Sequence, residues 1–357
     1  MEKKIVAILY GGRSVEHGVS INSARNIFEF IDRNRFEPLA IGLSKSGQWF
    51  LTNQVTKEMN QGIPVTFPTD PIQKGFIADN KNYFPDIFFP VLHGTDGEDG
   101  SVQGLLTAMQ IPFVGSGVLG SALAMNKIIA KQLLQLAGLP VAPFLYYTYR
   151  DRDQIDFNML KEKFGLPFMV KSASLGSSVG VSKVDTIEKF NSAIEDSFRY
   201  DDEIIIEQYI KGREIECAIL GNDPVEASNP GEIIISERYD FYSFDAKYVD
   251  PEAVKIQVPA VLSGDLTSKI KSASIQAFNV LRCQDFARVD LFVTENQILV
   301  NEINTIPGFT NSSMFPMMWK ERGISFTDLI SRLLDIALTR TERQNRVNRD
   351  FNSSLKF

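Results

Sequence analysis

The sequence predicts an α/β protein built from several lobes. Ile5–Leu9 is an unbroken apolar run that ends at a glycine pair, Gly11-Gly12. Further runs of this kind alternate along the chain with segments of helical spacing, the pattern of a doubly wound α/β unit. A length of 357 residues is enough for two or three domains at ~150 residues each.

The elements follow in order. Ile5–Leu9 reads as a buried parallel strand, because a strand covered on both faces has no polar alternation. Ser20–Ile31 puts Ile21, Ala24, Ile27, Phe28 and Ile31 on one helical stripe. Phe36–Leu43 and Ile87–Leu92 are further strands. The stretch 44–85 between them is polar and broken by prolines, an insertion or a meander. Ser121–Leu136 reads as one helix, stopped by Gly138 and Pro140. Pro167–Lys171 is a strand, Leu175–Gly180 a Gly/Ser loop and Val181–Val184 a second strand. Thr186–Phe198 is a helix with Thr186 as N-cap, and Glu203–Tyr209 is a strand. These form a smaller α/β lobe over 116–206. Residues 207–340 return to longer strands and two helices, near 263–281 and 325–339. The Arg/Asn-rich tail from 341 frays. The expected division is 1–115, 116–206 and 207–340, with the tail 341–357.

Composition narrows the chemistry. A net charge of −7 with no long Lys/Arg run argues against nucleic-acid binding. The aromatic content of 11% excludes a disordered chain. Two cysteines, Cys217 and Cys283, make neither a disulfide framework nor a thiolate metal site. Two histidines, His17 and His93, nearly exclude a His-rich metal site. Any metal must then be held by oxygen ligands, which suits Mg²⁺ or Ca²⁺. The N-terminal apolar stretch is too short for a signal peptide, and no ~20-residue apolar span occurs. The expected location is the cytoplasm, away from the membrane.

Several motifs carry chemistry. Gly115-Ser-Gly-Val-Leu-Gly120 fits G-x-G-x-x-G, but a dinucleotide site needs an acidic residue ~20 positions on. None occurs between Asp99 and Asp151, so these glycines serve a tight turn and close helix packing. No P-loop motif is present. Lys127 and Lys131 lie in this acid-free segment without a partner carboxylate nearby, which makes an external anion a candidate partner. Lys171 ends an apolar strand and precedes Ser174-Leu-Gly-Ser-Ser-Val-Gly180, a cation followed by backbone N–H groups suited to phosphate oxygens. There Ser177 and Ser178 are either phosphate contacts or turn formers. Glu207, after the buried run Ile204–Ile206, and Glu214, seven residues later, are either surface acids or contacts to an adenine amino group and ribose hydroxyls.

The clearest cluster is Ala287-Arg288-Val-Asp290 followed, after a Glu-Asn-Gln turn, by Asn301-Glu302-Ile-Asn304. Period-2 alternation puts Arg288 and Asp290 on one face, and Glu302 and Asn304 on one face. A three-residue turn sets Asp290 opposite Glu302. Facing carboxylates repel, so a divalent cation shared with a nucleotide's phosphates is the natural compensation. The simpler alternative is Arg288 neutralising Asp290. Thr305-Ile-Pro-Gly308-Phe-Thr-Asn-Ser-Ser313 follows at once and offers backbone and hydroxyl groups to an oxyanion.

Taken together, these residues resemble the D-alanine–D-alanine ligase family of the ATP-grasp superfamily, over roughly residues 3–340. The segments are Tyr10-Gly-Gly-Arg-Ser-Val-Glu16, His93-Gly-Thr-Asp-Gly-Glu-Asp-Gly100, Met125-Asn-Lys127, Lys171 through Gly180, Phe244-Asp-Ala-Lys247-Tyr248, Ala287–Asp290, and Asn301 through Ser313. The resemblance implies an ATP-grasp fold of three lobes: a Rossmann-like N-terminal domain, and nucleotide held between two C-terminal lobes. It implies a ligase that phosphorylates one D-alanine and joins it to a second for peptidoglycan synthesis. By position, Lys127 and Lys171 hold the phosphates of ATP, and Ser177, Ser178, Lys247, Asn301 and Glu302 also bind ATP. Glu207 and Ile210 face adenine, with Gln208 beside that site as a weaker ATP contact, and Glu214 faces the ribose. Asp290, Glu302 and Asn304 bind two Mg²⁺ ions, which Mn²⁺ can replace. Glu16 takes the first substrate's ammonium and links to Ser177 and Tyr248. Arg288 and the Gly308 backbone stabilise the tetrahedral intermediate. Lys247, Ser313 and Met314 serve the second D-alanine, with His93 nearby, and a loop around 236–250 forms an apolar lid. A homodimer is implied as well. The sequence departs from the family at Ser172, Asn126 and Gln208, where Pro, Asp and Lys are common. Tyr248 favours the dipeptide over an ester product, while D-serine as second substrate stays open.

Overall fold

The computed structural model describes residues 2–70, 72–177, 179–236 and 253–348. β1 (Lys4–Gly11) lies between β2 (Phe36–Leu43) and β7 (Ile87–Pro90) and runs parallel to both, with α1 (His17–Phe30) as the first crossover. Burial on both faces explains the unbroken apolar run Val6–Leu9. The stretch 44–85 is the meander: β3 (Trp49–Thr52), β4 (Ile63–Thr66), β5 (Phe76–Ala78) and β6 (Lys81–Tyr83) add in antiparallel fashion. The sheet order is β6-β5-β4-β3-β2-β1-β7. The expected doubly wound unit is thus a short parallel core carrying an antiparallel wing. The wing's strands are only three or four residues long, which tolerates prolines and polar side chains.

α2 (Ser101–Ala108) leads to a second difference. The single helix expected over Ser121–Leu136 is two helices, α3 (Val118–Met125) and α4 (Lys127–Leu136). They break at Asn126, whose backbone is extended and whose side chain accepts from the N–H groups of Ile128 and Ile129 at 3.1 and 3.0 Å. The break turns Lys127 into a first-turn residue. Of the G-x-G-x-x-G glycines, Gly115 sits at φ +105 in a turn and Gly120 packs closely: a Cβ on Gly120 would lie 2.5 Å from the Arg282 carbonyl oxygen.

The second sheet is antiparallel throughout. β8 (Phe144–Thr148), β9 (Phe168–Ser172), β10 (Val181–Val184) and β11 (Glu203–Gln208) are ordered β10-β9-β11-β8. α5 (Phe157–Phe164) and α6 (Ile187–Phe198) cover one face through Leu160, Phe164, Phe190 and Ala193. Thr186 caps α6 as expected, accepting from the Lys189 N–H.

The third sheet holds β12 (Arg213–Leu220), β14 (Gly231–Ile235), β15 (Val254–Gln257), β16 (Phe286–Val293) and β17 (Ile298–Asn304), ordered β15-β14-β12-β16-β17, with β13 (Glu226–Ala227) beside β12. α7 (Gly264–Val280) packs on one face together with α3 and α4. The opposite face shares one core with α8 (Met314–Glu321), α9 (Phe326–Gln344), α1 and β1. α9 runs past its expected end at 339 because Arg340 is buried there, 3.0 Å from Asp285 and 2.9 Å from the Gln284 side-chain oxygen. Asp285 also accepts from the Gly115 N–H at 2.8 Å, tying the first lobe to the third. No helix among the described residues is long and apolar enough to cross a membrane.

Candidate active site

The β16–β17 hairpin is the floor of the site. Asp290 pairs with Glu302 and Arg288 with Asn304, the register expected from the sequence. The route to it differs. The turn spans Thr294–Gln297 rather than Glu295–Gln297 alone, and Leu291 pairs with Val300, so Asn301 is the extra residue of a bulge. A longer turn and a bulge compensate, and the bulge re-aims the strand where the acidic residues stand. Arg288 donates to both Asp290 oxygens at 2.7 Å and lies 3.0 Å from Glu216 on β12. The Asn304 amide donates to Asp290 at 3.0 Å. Arg288 therefore does neutralise Asp290, and Glu302 faces the same surface. Among the described residues no group of three or more His, Cys, Asp or Glu forms a cage. Two carboxylates and an amide oxygen fit Mg²⁺, which typically draws its other ligands from phosphates and water.

Three lysines stand near this floor. Lys127 opens α4; its ammonium donates to the Leu175 carbonyl in the Gly/Ser loop and lies 3.9 Å from Glu302. Lys131, one turn on, is fully buried 2.9 Å from Glu207, which pairs on its other oxygen with Lys171 of β9. Glu207 and Lys171 are diagonal neighbours on adjacent strands, with Lys171 opposite Ile205. This corrects the reading of Lys131 as open to an external anion. Its carboxylate comes from β11 of the second sheet, 76 positions away in the chain, where no local pattern could reveal it. Glu207, 2% exposed, is no surface acid. Burial alone would raise its carboxyl, but the Lys131 and Lys171 charges outweigh that and hold it at about 2. Burial lowers Lys131. It also opposes the charge on Lys171, yet the charge and hydrogen bond of Glu207 shift Lys171 upward.

Above the lysines lies a cavity of about 380 Å³ between the second and third sheets. Lys127, Lys171, Ser177, Glu207, Gln208, Ile210, Glu214, Asp290, Asn301 and Glu302 line it. A second cavity of about 540 Å³ is lined by Glu16, His93, Arg288, Gly308, Ser313 and Met314. The two share Gly176, Ser177, Glu216 and Glu302 as a common wall. Ser177 has φ +52 and donates to the Glu16 carboxylate. A Cβ on Gly176 would stand 2.9 Å from that carboxylate, so any side chain there would push Glu16 aside. Ser313 accepts from the Thr310 N–H at 3.0 Å, and a Cβ on Gly308 would meet its hydroxyl at 3.0 Å. Ser178, Lys247, Tyr248 and most of the expected lid lie outside the described residues.

His93 lines the second cavity but offers no nitrogen to it. Nδ1 is 2.9 Å from the Ile306 carbonyl and Nε2 is 3.0 Å from the Ser23 hydroxyl. Sequence reasoning missed three residues here: Ser23, Glu98 and Glu216. The period-2 pair Glu214 and Glu216 on β12 was a usable signal for the last. Glu98 keeps some surface on the cavity, yet its carboxyl lies deep, and burial with Glu16 beside it pushes it up to about 8.

A lysine-lined cleft between two antiparallel sheets, closed by a Gly/Ser loop over an acidic hairpin, defines an ATP-grasp ligase. Family models described as the D-ala D-ala ligase N-terminus and C-terminus match residues 5–116 and 133–335. D-alanine–D-alanine ligase A of Escherichia coli is 44% identical over 97% of this chain and 98% of its own. The D-alanine–D-alanine ligase of Shouchella clausii matches at the same identity and coverage. Among solved structures, the D-alanine-D-alanine ligase from Coxiella burnetii has a TM-score of 0.87 at 37% identity, covering 97% of each chain. The VanG D-Ala:D-Ser ligase from Enterococcus faecalis has a TM-score of 0.85 at 34% identity, over 94% of this chain and 100% of its own. The chain belongs to the D-alanine–D-alanine ligase family. It joins two D-alanines at the expense of ATP and so supplies a peptidoglycan precursor.

Proposed function

We propose that the two adjoining cavities divide the reaction between them, nucleotide in the first and the two D-alanines in the second. The shared wall of Ser177, Glu216 and Glu302 carries this reading, because a phosphate chain in the first cavity would end next to a carboxylate in the second. Lys127 and Lys171 hold phosphate oxygens, Glu207, Gln208 and Ile210 border the adenine, and Glu214 takes the ribose. Asp290, Glu302 and Asn304 would hold two Mg²⁺ ions, or Mn²⁺ in their place, supplying charge neutralisation at the transferring phosphoryl group. Glu16, fixed by Ser177, receives the ammonium of the first D-alanine.

The first D-alanine's carboxylate oxygen attacks the γ-phosphorus, ADP leaves, and an acyl phosphate results. The second D-alanine's free amine attacks the acyl carbon, and phosphate departs with the former carboxylate oxygen. Arg288 and the Gly308 N–H face the oxyanion that forms between these events. Ser313, Met314 and Lys247 position the second substrate, and Tyr248 extends the Glu16–Ser177 link. His93, with both nitrogens engaged, braces this floor rather than touching substrate. D-alanine is the second substrate we assign. We further infer lobes near 1–115, 116–206 and 207–340, a homodimer, and action in the cytoplasm, where ATP is abundant.

D-Alanine labelled with ¹⁸O in its carboxylate tests the acyl phosphate. One labelled oxygen should leave in the released phosphate for each dipeptide made, and unlabelled phosphate would overturn the mechanism. D-Serine as the second amine in the same assay settles the choice of nucleophile.

A further inference from the structure

We propose that Ser23 is a positioning residue for the acyl-transfer half of the reaction, acting through His93 to fix the turn that presents the Gly308 N–H. The inference rests on Gly308 being the backbone donor assigned above. Ser23 sits on α1, fully buried, with one partner in its own lobe and one in the third. Its hydroxyl oxygen accepts from the Phe309 N–H at 3.1 Å and lies 3.0 Å from His93 Nε2. His93 Nδ1 is 2.9 Å from the Ile306 carbonyl. Ile306 and Phe309 flank Pro307-Gly308, so two side chains of the first lobe grip the third lobe's turn on both sides of its donor.

Proton placement follows from the partners. A carbonyl only accepts, so Nδ1 carries the ring proton. Burial lowers the His93 pKa and keeps the ring neutral, so Nε2 accepts and the Ser23 hydroxyl donates to it. Ser23 then has its one proton on His93 and a lone pair on Phe309, which closes the relay. Protonating the ring would aim two N–H donors at one hydroxyl and leave that hydroxyl's own proton without its acceptor. The charged groups facing His93 are Glu16, which favours protonation, and Arg288, which opposes it, with the carboxyl of Glu98 beside them. An oxyanion donor contributes only when held in place before charge develops, and small displacements are costly. The relay supplies that hold from His93 in the cavity wall and from Ser23 behind it.

The test is Ser23→Ala beside the wild-type chain, with Ser23→Thr as the conservative rescue. Ser23→Ala should lower kcat on the order of ten-fold or more while leaving KM for ATP unchanged. The acid limb of kcat should move to higher pH, because water in place of the hydroxyl can accept from a protonated ring. Ser23→Thr should recover both. Wild-type kcat and an unmoved acid limb in Ser23→Ala would overturn the inference. Should Ser23→Ala fail to fold, His93→Asn replaces it, since its amide keeps a donor for Ile306. Loss of the acid limb in His93→Asn supports the relay, and an unchanged limb overturns it. A wild-type chain that makes no dipeptide would refute the reading of the site instead, so the two failures are distinct.

Discussion

Replacing Glu207 by Gln removes one carboxylate from between two ammonium groups that cannot reach bulk water. Lys131 is 1% exposed and the Lys171 side chain 11%, so neither regains the lost attraction by hydration. The size follows from the carboxyl itself. A fall from 4.5 in the unfolded chain to about 2 in the fold corresponds to about 3 kcal/mol of stability at neutral pH. That contribution is fully present above pH 4.5 and is lost as pH falls from 4.5 towards 2. Glu207→Gln also leaves two like charges facing each other, so the expected loss at pH 7 is about 3–5 kcal/mol, the range for breaking a buried ion pair. Urea unfolding followed by circular dichroism, without nucleotide, measures it. The gap to wild type should narrow as pH falls below 4.5. Lys131→Met is the control. It leaves a neutral Lys171–Glu207 pair and relieves a lysine that burial already opposes, so it should cost clearly less. A Glu207→Gln variant within about 1 kcal/mol of wild type, or a Lys131→Met variant that costs more, would refute this account of the cluster.

Glu302→Gln should lose ~100-fold in kcat and require more Mg²⁺ while unfolding at the wild-type urea concentration; wild-type rates at saturating Mg²⁺ would remove Glu302 from the metal site. Glu98→Gln can still accept from the Gly94 N–H, a bond of 2.7 Å, but carries no proton to lose. Burial raises the wild-type carboxyl from 4.5 to about 8, so wild-type stability should fall as pH rises through that window, and Glu98→Gln should abolish this slope. Parallel stability–pH curves for the two proteins would contradict it. Burial also pushes the Cys217 thiol up to about 11 and the Cys283 thiol up to about 12. A chromogenic disulfide reagent at pH 8 should therefore label neither thiol in the native chain and both in urea.

What the sequence made legible was local. Ile5–Leu9 announced a parallel strand because burial on both faces erases alternation. The Asp290–Glu302 pairing was readable because a hairpin's register follows from nearby residues, and it held although a bulge at Asn301 had to compensate for a longer turn. The helix break at Asn126 was missed because the apolar spacing runs through it, and only the capping contact shows that the chain stops and restarts there. Ser23 gave no signal at all. Its spacing on α1 is that of any buried small residue, and its partners, His93 and Phe309, stand 70 and 286 positions away.

The segment without acidic residues, 100–150, shows how the remaining gap arises. Read along the chain, Lys127 and Lys131 are two cations one helical turn apart in the same surroundings. The fold separates them by what it brings from elsewhere. Glu207 on β11 reaches Lys131, buries with it and holds Lys171 in turn. Lys127 comes within 3.9 Å of Glu302 on β17 and bonds the Leu175 carbonyl in the Gly/Ser loop. One lysine is thereby committed to the protein and the other to the cleft. A local acid in 100–150 would compete with Glu207 and Glu302 for both lysines. Its absence lets carboxylates from the second and third sheets decide which cation is structural and which faces the cleft, and that decision depends on tertiary contact alone.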